Sequence, residues 1–393
     1  MKIDGFKYSA VNAGIRKKDR LDLALVFCDK PAVCAGVFTT NRVKAAPVLL
    51  DMERIGQGRA QAILVNSGVA NAGTGEIGLQ VAKTCSGLIA AALNIDESLV
   101  QIASTGVIGE QLPVEKIADS VDTLAGKLSP DSYDQVARAI MTTDTVPKTA
   151  GRVCTIGECE VKLFGIAKGA GMIMPNMATM LAFVMTDADI AADMLHHHLS
   201  CGVEESFNRI TVDGDTSTND TVLALASCRS GNQEINDVDT EESRIFANAL
   251  NDLLKDLALQ IVADGEGATK LVTIKVMNAQ SDESAEQAAR TIANSALVKT
   301  AFFGEDANWG RIIAALGRSG IEFDQNRVNI SFDDVVLVKN GLAQSAEEAR
   351  ATEVLKQKTF GVTVDLKMGQ AASEVYTCDL SVDYIKINAD YRS

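Results

Sequence analysis

The segment from residue 168 to residue 188, KGAGMIMPNMATMLAFVMTDA, restricts the fold more than any other part of this sequence. Gly169 and Gly171 permit backbone conformations that other residues rarely adopt. Pro175 fixes its own φ angle and biases the residue before it away from helix. The apolar run Met180–Val184 indicates a buried strand, because it is short and follows turn-forming residues. The segment therefore predicts an irregular loop that leads into a core strand.

A loop of this kind can hold a peptide bond under strain, and Thr179 stands where the loop meets the strand. A hydroxyl at the start of a strand can attack the carbonyl just before it, here that of Ala178, and form an ester that water opens. The new N-terminal Thr179 would carry its own base, because an α-amine with a pKa of about 8 can take the hydroxyl proton. A glycine-rich turn without chemistry is the alternative interpretation of the same residues.

The sequence indicates neither a histidine-based catalytic site nor a cofactor motif. The three histidines are adjacent, at positions 196–198, and neighbouring side chains on a helix point about 100° apart, so they cannot converge on one metal ion. No P-loop occurs, and Met174 stands where a dinucleotide-binding motif needs its third glycine. The eight cysteines form no C-x-x-C pair and are expected to be reduced core residues.

Charge and hydropathy disfavour further classes of protein. The 52 acidic residues outnumber the 37 basic ones and give a net charge of −15, whereas binding of nucleic acid needs clustered Lys and Arg. No apolar run has the length of a membrane span, and the N-terminus lacks the apolar stretch of a secretory signal. The cytoplasm is therefore the expected compartment.

The pattern of apolar residues predicts a mixed α+β fold. A chain of 393 residues exceeds an ordinary single core of about 250–300 residues, so two domains are expected. Residues 152–166 indicate a β-hairpin around Gly157-Glu158, while Ser284 and Ser345 fit capping boxes that open helices. Helices covering sheets in layers is the simplest arrangement. Further strands are expected at 23–28, 32–38, 62–66, 271–276, 327–332, 361–367 and 374–381, and helices at 77–93, 114–128 (with Pro113 at the first helical position) and 243–262.

Three further places could serve acyl chemistry. Ser104-Thr105-Gly106 follows the apolar run Leu99–Ala103, and backbone N–H groups at a strand-to-turn step can face a developing oxyanion. Lys168 could reach a substrate carboxylate, and Glu266 lies in a loop just after a helix. A tight turn and two solvated loop charges are the alternative interpretations.

Motifs throughout the chain resemble one family. The segment KGAGMIMPNMATML is similar to the processing site of the ornithine acetyltransferase (glutamate N-acetyltransferase) family. Further blocks similar to that family follow in the expected order: FTTNRVKAAP (38–47), VNSGVANAGTG (65–75), STGVIGE (104–110), MTTDTVPK (141–148), TVDGDTSTNDT (211–221), ADGEGATK (263–270), FFGEDANWGR (302–311) and NADYRS (388–393).

The resemblance implies a role for particular residues of this chain. Cleavage is expected between Ala178 and Thr179, after which Thr179 is the N-terminal nucleophile that carries the acetyl group. Thr105 and Gly106 are expected to form the oxyanion hole. The residues expected to bind substrate are Thr142 (with Thr143 as the alternative), Lys168, Thr179, Glu266, Asn388 and Ser393.

The resemblance also implies the reaction, the fold and the partners. The expected reaction is ping-pong: N-acetylornithine acetylates the threonine, ornithine leaves, and glutamate takes the acetyl group in arginine biosynthesis. Family members differ in whether acetyl-coenzyme A is also a donor, and no metal or organic cofactor is implied. The expected fold is a layered αββα sandwich similar to autoprocessed N-terminal-nucleophile enzymes. The segments 1–178 (α) and 179–393 (β) are expected to assemble as two copies of each.

One residue departs from the family pattern. Met174 stands beside the expected cleavage loop, where a small residue is typical, and this departure bears on the rate of cleavage but removes no functional group. Two other functions fit the same residues: an N-terminal-nucleophile amidase or aminopeptidase, in which water takes the acyl group, and a binding module with an intact chain.

Overall fold

The computed structural model describes residues 1–16, 19–174 and 180–389. Its strands, β1 to β15 in chain order, are Phe6–Val11, Leu23–Phe38, Arg59–Val69, Val100–Val107, Lys148–Ile156, Cys159–Lys168, Leu181–Thr186, Ile210–Thr211, Thr221–Ala226, Leu271–Ala279, Asn329–Phe332, Val335–Lys339, Leu342–Ala343, Thr359–Asp365 and Ala371–Cys378. Its helices, α1 to α11, are Ala46–Arg54, Gly75–Leu93, Val114–Gly126, Tyr133–Ala139, Ala192–Glu205, Glu241–Ala263, Asp282–Ala293, Ala296–Phe303, Trp309–Gly317, Glu348–Leu355 and Val382–Ala389.

The chain forms two compact units, each with its own mixed sheet and helices. The first unit comprises residues 1–208 and 215–261, and the second comprises residues 209–214 and 262–393. The expected α+β class, with helices layered on sheets, is confirmed. The predicted α and β segments are divisions of the chain at a cleavage point, and that point falls within the residue range of the first unit.

The sheet of the first unit is organised around the long strand β2. The strand order is β4-β3-β2-β9-β7-β6-β5, and β1 pairs with β2 outside this path. The first half of β2 pairs with β1 and β3, and its second half pairs with β9. The sequence predicted two strands here, at 23–28 and 32–38, and this was wrong. The polar interruption Asp29-Lys30-Pro31 is accommodated as an irregularity in register between Phe27 and Ala32, so the strand continues through it.

Both faces of this sheet are buried because its strands alternate in two apolar sets. One face carries Leu23 and Leu25 of β2 and packs against α1, α2 and α3. The other face carries Ala24 and Val26 and packs against α4. Burial on both faces explains why these strands are almost continuously apolar in sequence.

The second unit has a sheet in the order β13-β12-β11-β14-β10-β15-β8. Its β10, β14 and β15 supply alternate buried residues, and α7, α8, α9 and α10 pack on the resulting apolar surface. The central pairs are mixed in direction, since β10 is parallel to β14 and antiparallel to β15.

Most predicted elements are confirmed, but several helix starts were wrong. The predicted hairpin is formed by β5 and β6, which pair antiparallel across Gly157-Glu158. Helix α7 begins at Asp282, and the hydroxyl of Ser281, not Ser284, caps it by accepting from Ser284 N at 3.2 Å. Ser345 opens a short 3-10 turn, and α10 follows it without a side-chain cap. Pro113 is the residue before α3 and has extended backbone angles.

Candidate active site

The hairpin of β5 and β6 and the adjacent strand β7 place Lys168 inside the first unit. Lys168 is the last residue of β6 and pairs with Leu181, the first residue of β7. Its Nζ donates a hydrogen bond to Oγ1 of Thr105 over 2.9 Å. The two residues are 3% and 6% exposed, so the contact is shielded from water. The structure therefore brings together two predicted site residues that are 63 positions apart in the chain.

This contact gives Thr105 a defined chemical capacity. Because the hydroxyl oxygen accepts a hydrogen bond from an ammonium group, its own proton is directed to another acceptor. A buried cation behind the hydroxyl also makes that proton a stronger donor, since charge-assisted hydrogen bonds are stronger than neutral ones. Such a donor is what a developing oxyanion requires.

Gly106 follows in the same strand, where β4 lies against β3. Its φ angle is +132°, and a Cβ atom built on it would lie 2.2 Å from the carbonyl carbon of Gly68. Only glycine fits this close backbone approach. The expected strand-to-turn step was placed too early, because parallel pairing with β3 extends β4 through Val107.

Asp144 connects the predicted substrate residues of the first unit, and the sequence did not single it out. Its Oδ1 accepts hydrogen bonds from Nζ of Lys148 at 2.7 Å and from the backbone N of Gly169 at 2.7 Å. Its Oδ2 accepts from the backbone N of Thr142 at 2.9 Å. Burial alone would raise the pKa of Asp144, but Lys168 and Lys148 outweigh burial and lower the pKa to about 2. The group is therefore a carboxylate at neutral pH.

Thr142 lies in the loop before β5, half-buried, and Arg20 supports that loop from outside. The guanidinium of Arg20 donates to the carbonyl oxygens of Met141 and Thr142. Thr143 is also half-buried, so exposure does not distinguish the two threonines as ligands.

Asp220 is a second buried carboxyl, and it contacts the backbone of Met180. Its Oδ1 accepts from the backbone N of Met180 at 2.8 Å, and Met180 is the first described residue after the predicted cleavage point. Its Oδ2 has no hydrogen-bond partner among the residues that the structure describes. Burial raises the pKa of Asp220 well above its usual range, although the Met180 amide, Lys168 and the Thr39 side chain act in the opposite direction.

Two further predicted substrate residues meet in the second unit. Nδ2 of Asn388 donates to Oε2 of Glu266 over 2.7 Å. Asn388 lies near the end of α11, and Nδ2 also contacts the carbonyl oxygen of Tyr384. Glu266 follows α6 and is 7% exposed. The near-terminal segment is therefore held to the Glu266 loop.

Several sequence predictions lie outside the described residues or concern other classes of site. Ala178, Thr179 and Ser393 are outside the described part of the chain. Met174 is described, and its carbonyl oxygen accepts from Oγ1 of Thr216 at 3.3 Å. Of the histidines, His198 is buried and contacts Ser243 in a helix packing interface.

Within the described ranges, no group of three His, Cys, Asp or Glu side chains converges as a metal site would require. No described helix combines the length and the apolar character needed to cross a membrane.

The sequence analysis did not predict Asp144 or Asp220 as site residues. Both lie in segments that resemble the family, MTTDTVPK and TVDGDTSTNDT respectively. An acidic residue among threonines and apolar residues was the available signal, but nothing in the sequence distinguishes a buried Asp from a solvated one. The layered α+β fold and the buried ammonium–hydroxyl pair suit one class of protein, the enzymes that transfer acyl groups.

Comparison with known proteins identifies the family. A sequence model of the ArgJ family matches residues 7–393, and the chain belongs to this family. It is 56% identical over 395 residues to the arginine biosynthesis bifunctional protein ArgJ of Desulfotalea psychrophila, and 52% identical over 394 residues to that of Geobacter sulfurreducens, with 100% of each chain covered. A crystal structure of the arginine biosynthesis bifunctional protein ArgJ from Bacillus halodurans is 43% identical, with a TM-score of 0.51, over 53% of this chain and 97% of that chain. The chain is thus an acetyltransferase of arginine biosynthesis, which confirms the predicted activity class.

Proposed function

We propose that this enzyme moves an acetyl group from N2-acetylornithine to glutamate by a ping-pong route through acetyl-Thr179, giving ornithine and N-acetylglutamate. The observation that carries the proposal is the buried contact between Lys168 and Thr105, which pairs a cation with a hydroxyl donor. Family membership and the resemblance of the segment around Thr179 to the family's processing site support the same reaction.

The first step is cleavage of the chain at Thr179. The hydroxyl oxygen of Thr179 attacks the carbonyl carbon of Ala178, the C–N bond breaks, and the hydroxyl proton passes to the released amine. Water then adds to the ester, frees the carboxylate of Ala178 and restores the hydroxyl. Cleavage thereby creates the α-amine that serves as the base in later steps.

Acetyl transfer repeats this attack on another carbonyl. The Thr179 oxygen attacks the acetyl carbon of N2-acetylornithine, the amide C–N bond breaks, and ornithine leaves with the proton on its amine. The amine of glutamate then attacks the acetyl ester and releases Thr179. The Thr105 hydroxyl and the backbone N–H of Gly106 stabilise the negative oxygen in both attacks.

Charged residues select the substrates. Lys168 supplies a cation for a carboxylate in an otherwise acidic protein, and the carboxylate of Glu266 suits the side-chain ammonium of ornithine. Asn388 is already bonded to Glu266, and Thr142 and Ser393 complete the set by resemblance.

The proposal extends to assembly and compartment. The α segment 1–178 and the β segment 179–393 form a cytoplasmic heterotetramer with two copies of each. Acetyl-coenzyme A is a second candidate donor, and an acetyl-transfer assay to glutamate with each donor in turn distinguishes a monofunctional from a bifunctional enzyme.

Replacement of the nucleophile tests the mechanism. We expect Thr179→Ala to remain one chain near 41.7 kDa without acetyl transfer, because the variant has neither the attacking oxygen nor the freed amine of a threonine. Intact-mass spectrometry and an assay of ornithine release with glutamate present measure both effects.

Thr179→Ser is the matched control, since it keeps a hydroxyl at the same position, and it should still cleave. Two fragments from Thr179→Ala would contradict the mechanism. Free acetate released in step with ornithine by the wild-type enzyme would instead indicate a hydrolase.

A further inference from the structure

Asp144 joins the two chain segments that enter and leave the hairpin of β5 and β6. These strands pair antiparallel, and the pairing ends with Lys148 opposite Ala167. Beyond that pair, Oδ1 of Asp144 accepts from the backbone N of Gly169, the residue that follows β6, at 2.7 Å. Its Oδ2 accepts from the backbone N of Thr142, in the segment before β5, at 2.9 Å. One carboxylate therefore fixes the backbone of both segments.

The contact with Gly169 also restrains Lys168, the residue before it. The nitrogen of Gly169 is bonded to the carbonyl carbon of Lys168, so the hydrogen bond to Asp144 fixes the peptide group at the backbone end of Lys168. At the other end of this side chain, Nζ donates to Oγ1 of Thr105 at 2.9 Å. Because Lys168 is held at both ends before a substrate arrives, it loses less conformational freedom when a substrate binds.

The loop that carries Thr142 is held in a comparable way. Asp144 accepts from the backbone N–H of Thr142, and the guanidinium of Arg20 donates to the carbonyl oxygen of the same residue. Thr143 is the next residue of this loop. The same contacts therefore fix the loop whichever of the two threonines binds substrate.

The charges around Asp144 favour an anionic substrate group. Lys148 forms a fully buried ion pair with Asp144, so these two charges balance each other. The ammonium of Lys168 adds one net positive charge to the pair, which a substrate carboxylate can balance. Asp220 is the other carboxyl on which Lys168 acts, and burial raises the pKa of Asp220 well above its usual range, which disfavours a second negative charge here.

We propose that Asp144 is a positioning residue for substrate binding: its carboxylate aligns the Thr142 loop with Lys168, so that both meet the carboxylate of N2-acetylornithine or glutamate. This inference rests on the proposed function, which assigns substrate binding to Thr142 and Lys168.

Replacement of the substrate carboxylate by a carboxamide measures this alignment. For each enzyme variant, kcat/KM for N2-acetylornithine is divided by kcat/KM for N2-acetylornithinamide, with glutamate as the acceptor. The ratio does not depend on the fraction of enzyme that is folded or cleaved, so a purely structural role of Asp144 would leave it unchanged. We expect the wild type to prefer the carboxylate, because Lys168 is a cation.

Asp144→Asn keeps one acceptor oxygen and cannot hold both segments, because its amide nitrogen is a donor. We expect the ratio to be about tenfold lower than in the wild type, mainly through a higher KM for N2-acetylornithine, since a weakened hydrogen bond between charged groups has an effect of this size.

Lys148→Met is the matched control. It removes the other charge of the same buried pair but leaves the carboxylate of Asp144 with its partners at Thr142 and Gly169. Thermal unfolding should show a loss of stability in this variant as well, whereas the ratio should stay at the wild-type value.

The double variant Asp144→Asn/Lys148→Met decides the question if Asp144→Asn does not fold, because removal of both charges of a buried pair costs less than removal of one. It should show the same decrease in the ratio. A wild-type ratio in the folded Asp144 variants, or an equal decrease in Lys148→Met, would overturn the inference, and so would a loss of transfer from both substrates alike. A wild-type enzyme that transfers no acetyl group from N2-acetylornithine, or that does not prefer the carboxylate, would instead overturn the proposed function.

Discussion

The carboxylate of Asp144 accepts hydrogen bonds from three separate places in the chain: Lys148, Gly169 and Thr142. Its contact with Lys148 is a fully buried ion pair, with 0% exposure of both side chains. Because the loop of Thr142 and the residue after Lys168 share one acceptor, Asp144 fixes their relative positions. A buried charge that is satisfied in this way has a large effect when it is removed.

We expect Asp144→Asn to lower the free energy of unfolding at neutral pH by about 3–5 kcal/mol, because removal of one charge from a buried ion pair costs this much. The pKa of Asp144 in the fold, about 2, lies below its ordinary value of 3.8. The stability that this shift contributes is therefore present above about pH 4 and is lost as the pH falls through about 2.

Urea unfolding at a series of pH values measures the difference between the wild type and this variant. The difference in unfolding free energy between the two proteins should become smaller as the pH falls from about 4 to about 2. The wild type loses the stabilisation from the ionised Asp144 over this range, and the variant lacks it at every pH. A difference that stays constant or becomes larger over this range would contradict the assignment. The neutral-pH activity of the variant then reports on the placement of Thr142 and Lys168.

For single residues, the sequence identified which side chains have suitable chemistry, but it did not show how buried they are or which charges surround them. Thr105 and Lys168 were candidates from motif and charge, and their contact required the fold. Asp144 and Asp220 have the same side chain, yet two lysines lower the pKa of one and burial raises the pKa of the other. No local pattern distinguishes these two cases, because the neighbours responsible come from other strands.

Among the elements, β4 and β3 come close enough to exclude a side chain. Gly106 and Gly109 both have positive φ angles, +132° and +86°. A Cβ atom at Gly106 would lie 2.2 Å from the backbone of Gly68, whereas a Cβ atom at Gly109 would meet no atom within 4 Å. A side chain at Gly109 would therefore cause backbone strain alone, whereas one at Gly106 would cause backbone strain and steric overlap.

We expect Gly109→Ala to cost about 1–2 kcal/mol from backbone strain alone. Gly106→Ala should cost about 1–3 kcal/mol more, because β3 and β4 must also move apart. Chemical denaturation of both variants in the same background measures the difference. An equal decrease in the free energy of unfolding for the two variants would show that β4 can shift away from β3 without loss of stability.

Elements were predicted well where periodicity extends over many residues and less well at their ends. The hairpin of β5 and β6 was recovered, because a two-residue Gly-containing turn sets its register. The start of α7 was misplaced by three residues, since Ser281 and Ser284 are both plausible caps and only the end of β10 at Ala279 decides between them. The two-strand prediction over β2 was wrong because β2 is paired both before and after Asp29-Lys30-Pro31 and stays one extended strand across them.

The whole molecule has a net charge of −15, which destabilises a compact state through self-repulsion. We expect the melting temperature to rise when salt is increased from about 0.01 M to about 0.15 M, because the Debye length falls from about 30 Å to about 8 Å. The same titration near pH 4.8, where the sequence has no net charge, is the control and should show a smaller rise. A melting temperature that falls with salt at neutral pH would contradict this.

The sequence by itself determined the class of fold, the family and the chemistry available to the site. It did so because apolar periodicity, glycine and proline positions and ordered motifs are properties of neighbouring residues. Only the tertiary structure decided that Lys168 contacts Thr105, that Asn388 contacts Glu266, and that the pKa values of the buried Asp144 and Asp220 shift in opposite directions. Each of these depends on residues far apart in the chain, whose distances and burial are set by sheet pairing and packing and not by local sequence.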